Sequence, residues 1–239
     1  MRWLRNLAGG KRWLNDRHSG TIIDFADWQY FAIPKVACSS IMAALVGVIG
    51  VEFPEDEWAP ELFQTHKWDH LYDRRHRVIT KRAALALADR WRFAFVRNPF
   101  DRLVSCYSEK IRPDGDSENF VNGISKVLEP FGVFHAEMSF EEFALAAIAI
   151  PDIDADPHWR SQYTFLIDGR GRMAVDFIGR FERLSEDFEI VRKRIGSDVS
   201  LPHLLKSERS SCRDYYSSDL TERVRQRYER DLSTFDYGF

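Results

Sequence analysis

A lysine followed by small and hydroxyl-bearing residues is the first group in the sequence that could bind a charged ligand. Lys35 comes just after the apolar segment Gln29–Ile33, which predicts a strand. Ser39 or Ser40 can cap the helix predicted to follow. Backbone N–H groups at a helix start attract anions, and small side chains allow an anion to approach closely. The candidate ligands are Lys35, Ala37, Cys38, Ser39 and Ser40; an ordinary strand-to-helix turn with a surface lysine is the alternative.

An arginine after a second buried strand is the other candidate anion ligand. The segment Arg92–Val96 predicts that strand, and Arg97 follows it directly. A guanidinium fork matches a phosphate in two-point geometry, and Ser105 could add a hydroxyl from two turns into the next helix. The alternative is a structural arginine that pairs with a carboxylate such as Asp101.

Two strand–loop–helix units position these candidates. Apolar residues over Ile41–Ile49 recur at helical spacing and predict the first helix. Asn98 suits the N-cap and Pro99 the first position of the second helix, which we expect to reach about Ile111. Between the two units, the sequence predicts a short strand over Leu62–Thr65 and a helix over Lys81–Arg90.

The second half of the chain is more helical. Ser139 and Glu142 have capping-box spacing at the start of a predicted helix over Phe140–Ile150. The turn 168–171 separates two strand-like segments. The further predicted elements are the strands Tyr163–Ile167 and Met173–Ile178 and the helices Arg183–Ile195 and Asp219–Leu232. The arginines of the last helix, Arg223, Arg225, Arg227 and Arg230, are predicted to form a solvated face.

Strands that alternate with helices predict the α/β class, a sandwich with a central, mainly parallel sheet flanked by helices. Ligands bind such folds at the carboxyl ends of the strands. No repeat or linker divides the 239 residues, so we expect one domain over residues 1–239. Residues 1–28 form an N-terminal extension, whose basic and aromatic start could contact a membrane surface or could be an ordinary terminal helix.

Composition excludes several classes of protein. Lys and Arg number 34 against 37 Asp and Glu, a net charge of −3, which argues against a nucleic-acid partner, although a local basic cleft stays open. Three widely spaced cysteines without a CxxC pair disfavour structural zinc and disulfides. No apolar run is long enough to span a bilayer, and the N-terminus has no signal-peptide core. We therefore expect a cytoplasmic protein, at most peripheral to a membrane.

The two candidate segments resemble the signature motifs of sulfotransferases. Pro34–Ser40 resembles their 5′-phosphosulfate-binding loop, and Val96–Ser105, V-R-N-P-F-D-R-L-V-S, resembles their 3′-phosphate-binding motif. His158–Gln162 and Asp176–Glu182 are similar to segments of the Golgi carbohydrate sulfotransferases that act on chondroitin, heparan and HNK-1-type glycans. The resemblance covers residues 29–239 and implies a P-loop-like, three-layer fold. Without the membrane anchor of the Golgi members, we expect a soluble bacterial relative.

This resemblance implies transfer of a sulfuryl group from 3′-phosphoadenosine 5′-phosphosulfate (PAPS) to a hydroxyl, with release of the bisphosphate PAP and without a metal. Lys35 would stabilise the leaving group, and the N–H groups of residues 37–40 would hold the 5′-phosphate. Arg97 and Ser105 would bind the 3′-phosphate, and Lys206–Arg213 would close over the nucleotide. The implied acceptor is a carbohydrate; a lipid or another small hydroxyl compound is the alternative.

A hydroxyl acceptor requires a general base, and His66 is the best candidate. Its position resembles that of the catalytic histidine of glycan 6-O-sulfotransferases, although His66 and Trp68 stand one residue closer than in the His-x-x-Trp pattern. His158 and Trp159 are candidate contacts to the acceptor or the nucleotide; Trp159 could equally belong to the core. His70, His158 or a nearby carboxylate are alternative bases, and a zinc site at His66 and His70 lacks an evident third ligand.

Three other functions compete with this interpretation. Cys106–Arg112 fits the C-x5-R spacing of a phosphatase, but the segment is predicted to be helical, whereas a phosphatase needs a small-residue loop. A P-loop phosphotransferase needs a G-x-x-x-x-G-K-[ST] motif and a carboxylate for Mg²⁺, and this sequence has neither the motif nor an obvious carboxylate of that kind. A nucleotide-binding pseudoenzyme stays open, although the presence of Lys35, Arg97 and a candidate base argues against it.

Overall fold

The structure, a computed structural model, describes residues 21–25, 27–48, 77–112, 119–201 and 211–239. The chain divides into two compact units. The first unit contains the described residues within Met1–Val96 and Phe165–Lys206, and the second contains those within Arg97–Thr164 and Ser207–Phe239. The predicted strand over 62–65 lies outside the described residues, as do the first 20 residues of the predicted N-terminal extension.

A five-stranded sheet is the centre of the first unit. The strands of this sheet are β1 (Thr21–Asp24), β2 (Trp28–Ala32), β3 (Arg77–Ile79), β4 (Trp91–Val96) and β7 (Phe177–Arg180), while β5 (Phe120–Val121) and β6 (Ile124–Ser125) form a separate hairpin. Their order across the sheet is β3-β1-β2-β4-β7, and β1 runs antiparallel to both of its neighbours. The other four strands therefore share one direction, with β4 parallel to both β2 and β7.

Helices flank this sheet, so the predicted α/β class with a mainly parallel central sheet is confirmed. The helices of the first unit are α1 (Cys38–Gly47), α2 (Lys81–Ala86) and α6 (Leu184–Ile195). We find α2 beside β1 and α6 beside β7. The predicted helix over Lys81–Arg90 is shorter than expected, because the N–H of Leu87 closes it by donating to Ala84.

Central strands buried on both faces form the core of the first unit. All of β2 and the last four residues of β4 are buried, as expected for parallel strands that are nearly continuous in apolar residues. Phe93 stacks on Tyr30 with ring centroids 5.2 Å apart. Gly179 of β7 is paired with Phe95 of β4, and a Cβ at Gly179 would lie 2.3 Å from the Phe95 ring. Only glycine fits at this point of the sheet.

The second unit is mainly helical. Its helices are α3 (Pro99–Lys110), α4 (Phe140–Ala149), α7 (Ser218–Arg227) and α8 (Glu229–Phe235), and α5 (Tyr163–Leu166) spans the boundary between the units. We find α4 packed against both α3 and α7. The core of the second unit contains Phe100, Phe143, Trp159 and Tyr228. None of the described helices is long and apolar enough to cross a membrane.

One predicted strand of the second half is wrong, and another is displaced along the chain. Tyr163–Ile167 is not a strand, because residues 163–166 form α5, where Thr164 donates from both its N–H and its hydroxyl to the carbonyl of Ser161. The predicted strand over Met173–Ile178 begins four residues later, as β7. The turn at Asp168 between these segments is confirmed, since its Oδ1 accepts the N–H groups of Arg170 and Arg172.

The last predicted helix is broken into two at Tyr228. Its backbone, with φ −108° and ψ 20°, leaves the helical region, and its hydroxyl donates to the carbonyl of Trp159 at 2.5 Å. Arg227, the last residue before the break, is mostly buried and donates to Asp152 at 2.6 Å and to Ser161 at 2.8 Å. The predicted solvated face is therefore wrong for Arg227, whereas the other three arginines of the set are exposed.

Candidate functional site

The turn that carries Lys35 has a strained backbone. It joins β2 to α1, and within it Lys35 has φ 70° and Ala37 has φ 62°. Left-handed backbone is uncommon for residues other than glycine and costs roughly 1–2 kcal/mol per residue. Val36 between them is completely buried and anchors the turn to the core. Such strain concentrates at functional sites, and turns of this kind aim successive N–H groups at an anion.

The helix after this turn starts earlier than predicted. α1 begins at Cys38, and its first helical hydrogen bond runs from the N–H of Ile41 to the carbonyl of Ala37 at 3.0 Å. Ser39 and Ser40 therefore lie in the first helical turn, so the prediction that either one is the N-cap is wrong. Their hydroxyls and the amides of the first turn still lie at the helix N-terminus, where an anion is stabilised.

The second candidate turn places Arg97 next to a carboxylate. Arg97 is 5% exposed, and its Nε donates to Oδ2 of Asp101 at 2.6 Å. This ion pair is the structural alternative that the sequence left open. As predicted, Asn98 caps α3 by accepting the N–H of Phe100, and Pro99 occupies the first turn. The side chain of Asn98 also donates to the carbonyl of Gly238, a contact that sequence reasoning missed.

The helix that begins at this turn carries Ser105 and is tied to the His158–Gln162 segment. Ser105 lies in α3, half-buried. Arg102, in the same helix, is almost completely buried and donates to the carbonyls of Pro157 and Arg160, each at 2.7 Å. The helix that carries Ser105, one of the two predicted 3′-phosphate ligands, is thus hydrogen-bonded to the segment that carries the predicted acceptor contacts.

A carboxylate orients His158. Oδ1 of Asp156 accepts the backbone N–H of His158 at 2.9 Å and lies 2.5 Å from its Nδ1. Burial lowers the pKa of His158, and Lys110 lowers it further, while Asp156 opposes this shift. The side chain is 24% exposed. A partly exposed imidazole whose Nδ1 is held by a carboxylate has the arrangement of an oriented general base.

Trp159 belongs to the core instead of a surface. It is completely buried, with its ring 5.1 Å from that of Phe131 and 5.5 Å from that of Phe134. This is the alternative that the sequence left open for Trp159, and nothing in its surroundings supports contact with an acceptor.

Gln162 and Asp231 form a buried pair that the motifs did not identify as functional. Gln162 bonds both backbone groups of Arg97, and Asp231 accepts the N–H groups of Gln162 and Tyr163. Burial raises the pKa of Asp231 to about 6, although these hydrogen bonds oppose the shift. No sequence pattern could have paired Asp231 with Gln162, because the two lie 69 residues apart.

Several predicted site residues lie outside the described residues: His66, His70 and most of Lys206–Arg213. Arg213 itself is described, and it donates to the carbonyl of Phe239. Cys106 is completely buried within α3, so the C-x5-R segment is helical and not the loop that a phosphatase needs. Within the described part of the chain, no group of three or more His, Cys, Asp or Glu residues is placed to hold a metal.

Comparison with known proteins agrees with the motifs. A family model described as "Sulfotransferase family" matches residues 25–238. Among curated proteins, carbohydrate sulfotransferase 11 of Danio rerio is 25% identical over 240 residues, an alignment that covers 87% of this chain. The same alignment covers 64% of the relative, so the chain spans less than two thirds of its length. No solved structure gives a significant match.

Proposed function

The chain belongs to the sulfotransferase family, and on that premise we propose that it transfers a sulfuryl group from PAPS to a hydroxyl of a carbohydrate. The observation that carries the donor assignment is the strained turn at Lys35 and Ala37. Such a turn is stable only where the surrounding structure imposes it, and an anion-binding role gives it a reason. The relative's name, carbohydrate sulfotransferase 11, supports a carbohydrate acceptor.

Two sets of residues would bind the donor. Lys35 and the amides of residues 37–40 would hold the 5′-phosphate, where negative charge builds as the leaving group departs. Arg97 and Ser105 would bind the 3′-phosphate, which distinguishes PAPS from ordinary adenine nucleotides.

The reaction is an in-line group transfer. The acceptor oxygen forms a bond to sulfur while the bond from sulfur to the 5′-phosphate oxygen breaks, and PAP leaves with the electron pair. The acceptor proton passes to a general base. Lys35 contributes most if its charge contacts the leaving oxygen more strongly in the transition state than in the bound donor.

We propose His66 as the base, on its resemblance to the histidine of the glycan enzymes. His158 is the second candidate, and the carboxylate of Asp156 on its Nδ1 supports it. Either imidazole would be neutral, and so able to accept a proton, above its own pKa.

The donor assignment is tested by comparing PAP with AMP in calorimetry. If Arg97 and Ser105 meet the 3′-phosphate, PAP should bind roughly ten- to hundredfold more tightly, the usual worth of a charge-assisted contact of about 1.5–3 kcal/mol. Equal affinities would refute the assignment. Radiolabelled PAPS, offered with glycans, hydroxylated lipids and small hydroxyl compounds, would then identify the acceptor class.

A further inference from the structure

The backbone of Arg97 is held by a side chain. β4 ends at Val96, so Arg97 is the first residue beyond that strand. Its N–H donates to Oε1 of Gln162 at 3.0 Å, and its carbonyl accepts from Nε2 of Gln162 at 2.8 Å. Both side chains are buried, Gln162 completely. A single primary amide therefore bonds both backbone groups of Arg97, as a paired strand would.

Asp231 holds this amide in place. Its carboxylate accepts the backbone N–H groups of Gln162 and Tyr163 at 2.7 and 2.8 Å, and Nε2 of Gln162 lies 3.4 Å from Oδ2. Asp231 is completely buried. A buried carboxylate is costly to desolvate and is stable only when hydrogen-bonded. These hydrogen bonds hold Gln162 in one position. The protein loses desolvation free energy at Asp231 that an apolar residue there would not cost.

Arg97 is thus fixed at two points. The Gln162 amide fixes its backbone, and Asp101 holds its Nε at 2.6 Å. A guanidinium binds phosphate through paired N–H groups only when its plane and direction match the anion. A shift of the backbone at residue 97 would move the guanidinium away from that geometry even though no residue that touches the ligand had changed.

We propose that Gln162 and Asp231 are positioning residues that set the backbone of Arg97 and thereby control recognition of the 3′-phosphate. This inference rests on the proposed function, in which Arg97 binds that phosphate. The two residues do not contact the nucleotide; they act through Arg97, in the order Asp231, Gln162, Arg97.

The test measures nucleotide preference, the ratio of the AMP dissociation constant to the PAP dissociation constant, in Gln162→Met and Asp231→Asn. Gln162→Met keeps the side-chain length and removes both bonds to Arg97, so the preference should fall about tenfold. In Asp231→Asn an NH₂ group replaces one carboxylate oxygen, and it cannot accept the N–H group that this oxygen accepts. The nucleotide preference should therefore fall, by less than in Gln162→Met. AMP affinity should stay within about twofold in both variants, because AMP lacks the 3′-phosphate.

Tyr228→Phe is the matched control. It removes a buried hydrogen bond in the same core, and that bond joins the Tyr228 hydroxyl to the carbonyl of Trp159 and not to Gln162 or Arg97. Its nucleotide preference should equal that of the wild type, even if its melting temperature falls as much as in the test variants.

The possible outcomes separate the two proposals. Folded variants that keep the wild-type preference, or that lose AMP and PAP affinity equally, overturn the positioning role and leave the donor assignment standing. A wild-type protein that does not prefer PAP overturns the donor assignment and this inference with it. If Gln162→Met does not fold, Asp231→Asn decides the question by the same ratio.

Discussion

Arg97 donates from Nε to Oδ2 of Asp101 across 2.6 Å, one helical turn further along the chain. The arginine side chain is 7% exposed and the aspartate 24%, so the pair is partly shielded from water. A phosphate that binds Arg97 must therefore bind beside a carboxylate, which repels it. The gain from the guanidinium has to exceed that repulsion, and this makes the fork geometry of arginine essential.

Arg97→Lys tests this requirement. A lysine ammonium is a single point charge and cannot bond Asp101 and a phosphate in the arrangement of a guanidinium. We expect the variant to fold and to lose most of its preference for PAP over AMP, about tenfold or more. Calorimetry with both nucleotides measures this, with Arg225→Lys on the exposed surface of α7 as the control. An unchanged preference would show that charge alone is sufficient.

Lys35→Ala should impair turnover more than binding. If Lys35 stabilises the leaving group as proposed, kcat should fall about a hundredfold or more while the acceptor KM changes little. Steady-state kinetics with labelled PAPS gives both constants, and Lys126→Ala, at an exposed position, serves as the control. A folded variant with near-normal kcat would remove Lys35 from the catalytic role.

The pH dependence of kcat/KM identifies the base. The rate should rise with pH as the catalytic imidazole loses its proton, through an apparent pKa near the ordinary histidine value of about 6.5 if the base is His66. Burial and Lys110 lower the pKa of His158, so the rise of kcat/KM with pH would occur at a lower pH if His158 is the base. His66→Ala or His158→Ala, whichever removes the base, should abolish the limb and slow turnover about 10²–10⁴-fold.

Lys110→Met gives an independent check on this assignment. Without that cation, the pKa of His158 rises, and the limb should shift to higher pH only if His158 is the base. Asp156→Asn should shift it the other way, because the carboxylate favours the protonated ring. If the rise of kcat/KM occurs at the same pH in both variants and in the wild type, the general base is another group, such as His66.

Chelation of divalent metals should leave sulfuryl transfer largely intact. In the proposed function, the positive charge at the donor phosphates would come from the protein, from Lys35 and Arg97, whereas phosphoryl-transfer enzymes use Mg²⁺ for this purpose. The measurement is turnover of labelled PAPS with and without EDTA. Loss of activity that one added metal restores would favour a phosphotransferase-like site.

The titration of Asp231 should appear in the stability of the protein. Burial raises its pKa from 3.8 to about 6, so the folded state holds the proton more tightly than the unfolded state. Its contribution to the free energy of unfolding therefore falls as pH rises from about 4 to 6, by on the order of 3 kcal/mol. Urea denaturation at pH 4.5 and 7 should show the wild type losing about 2 kcal/mol of stability relative to Asp231→Asn over this interval, since part of the effect lies below pH 4.5; a constant difference between the two proteins would contradict this.

Local signals in the sequence predicted the elements that depend on local chemistry. Asn98 and Pro99 define the start of α3, and Ser139 with Glu142 forms the expected capping box of α4. The buried central strands were also predictable, because β2 and β4 are nearly continuous in apolar residues. These features involve residues a few positions apart, so a short stretch of sequence is sufficient to predict them.

The remaining features depend on partners far away in the chain. Tyr163–Leu166 has strand-like aromatic and β-branched residues, but Asp231 binds the amides of Gln162 and Tyr163 at its start and favours a helical turn. The break at Tyr228 was hidden because the apolar spacing continues through both helices. The early start of α1 follows from the left-handed backbone of Ala37, for which an alanine gives no sign.

That left-handed turn also limits how the sequence can vary. Phosphate-binding turns commonly use glycine at such positions, whereas here Lys35 and Ala37 have φ 70° and 62°. Among relatives that keep this backbone, position 37 should accept glycine or asparagine and exclude valine, isoleucine and threonine, whose branched Cβ is most strained there. Glycine would relax the turn but give it more conformations to lose on binding. An L-residue at Ala37 therefore exchanges some native stability for a turn that is already ordered before the donor arrives.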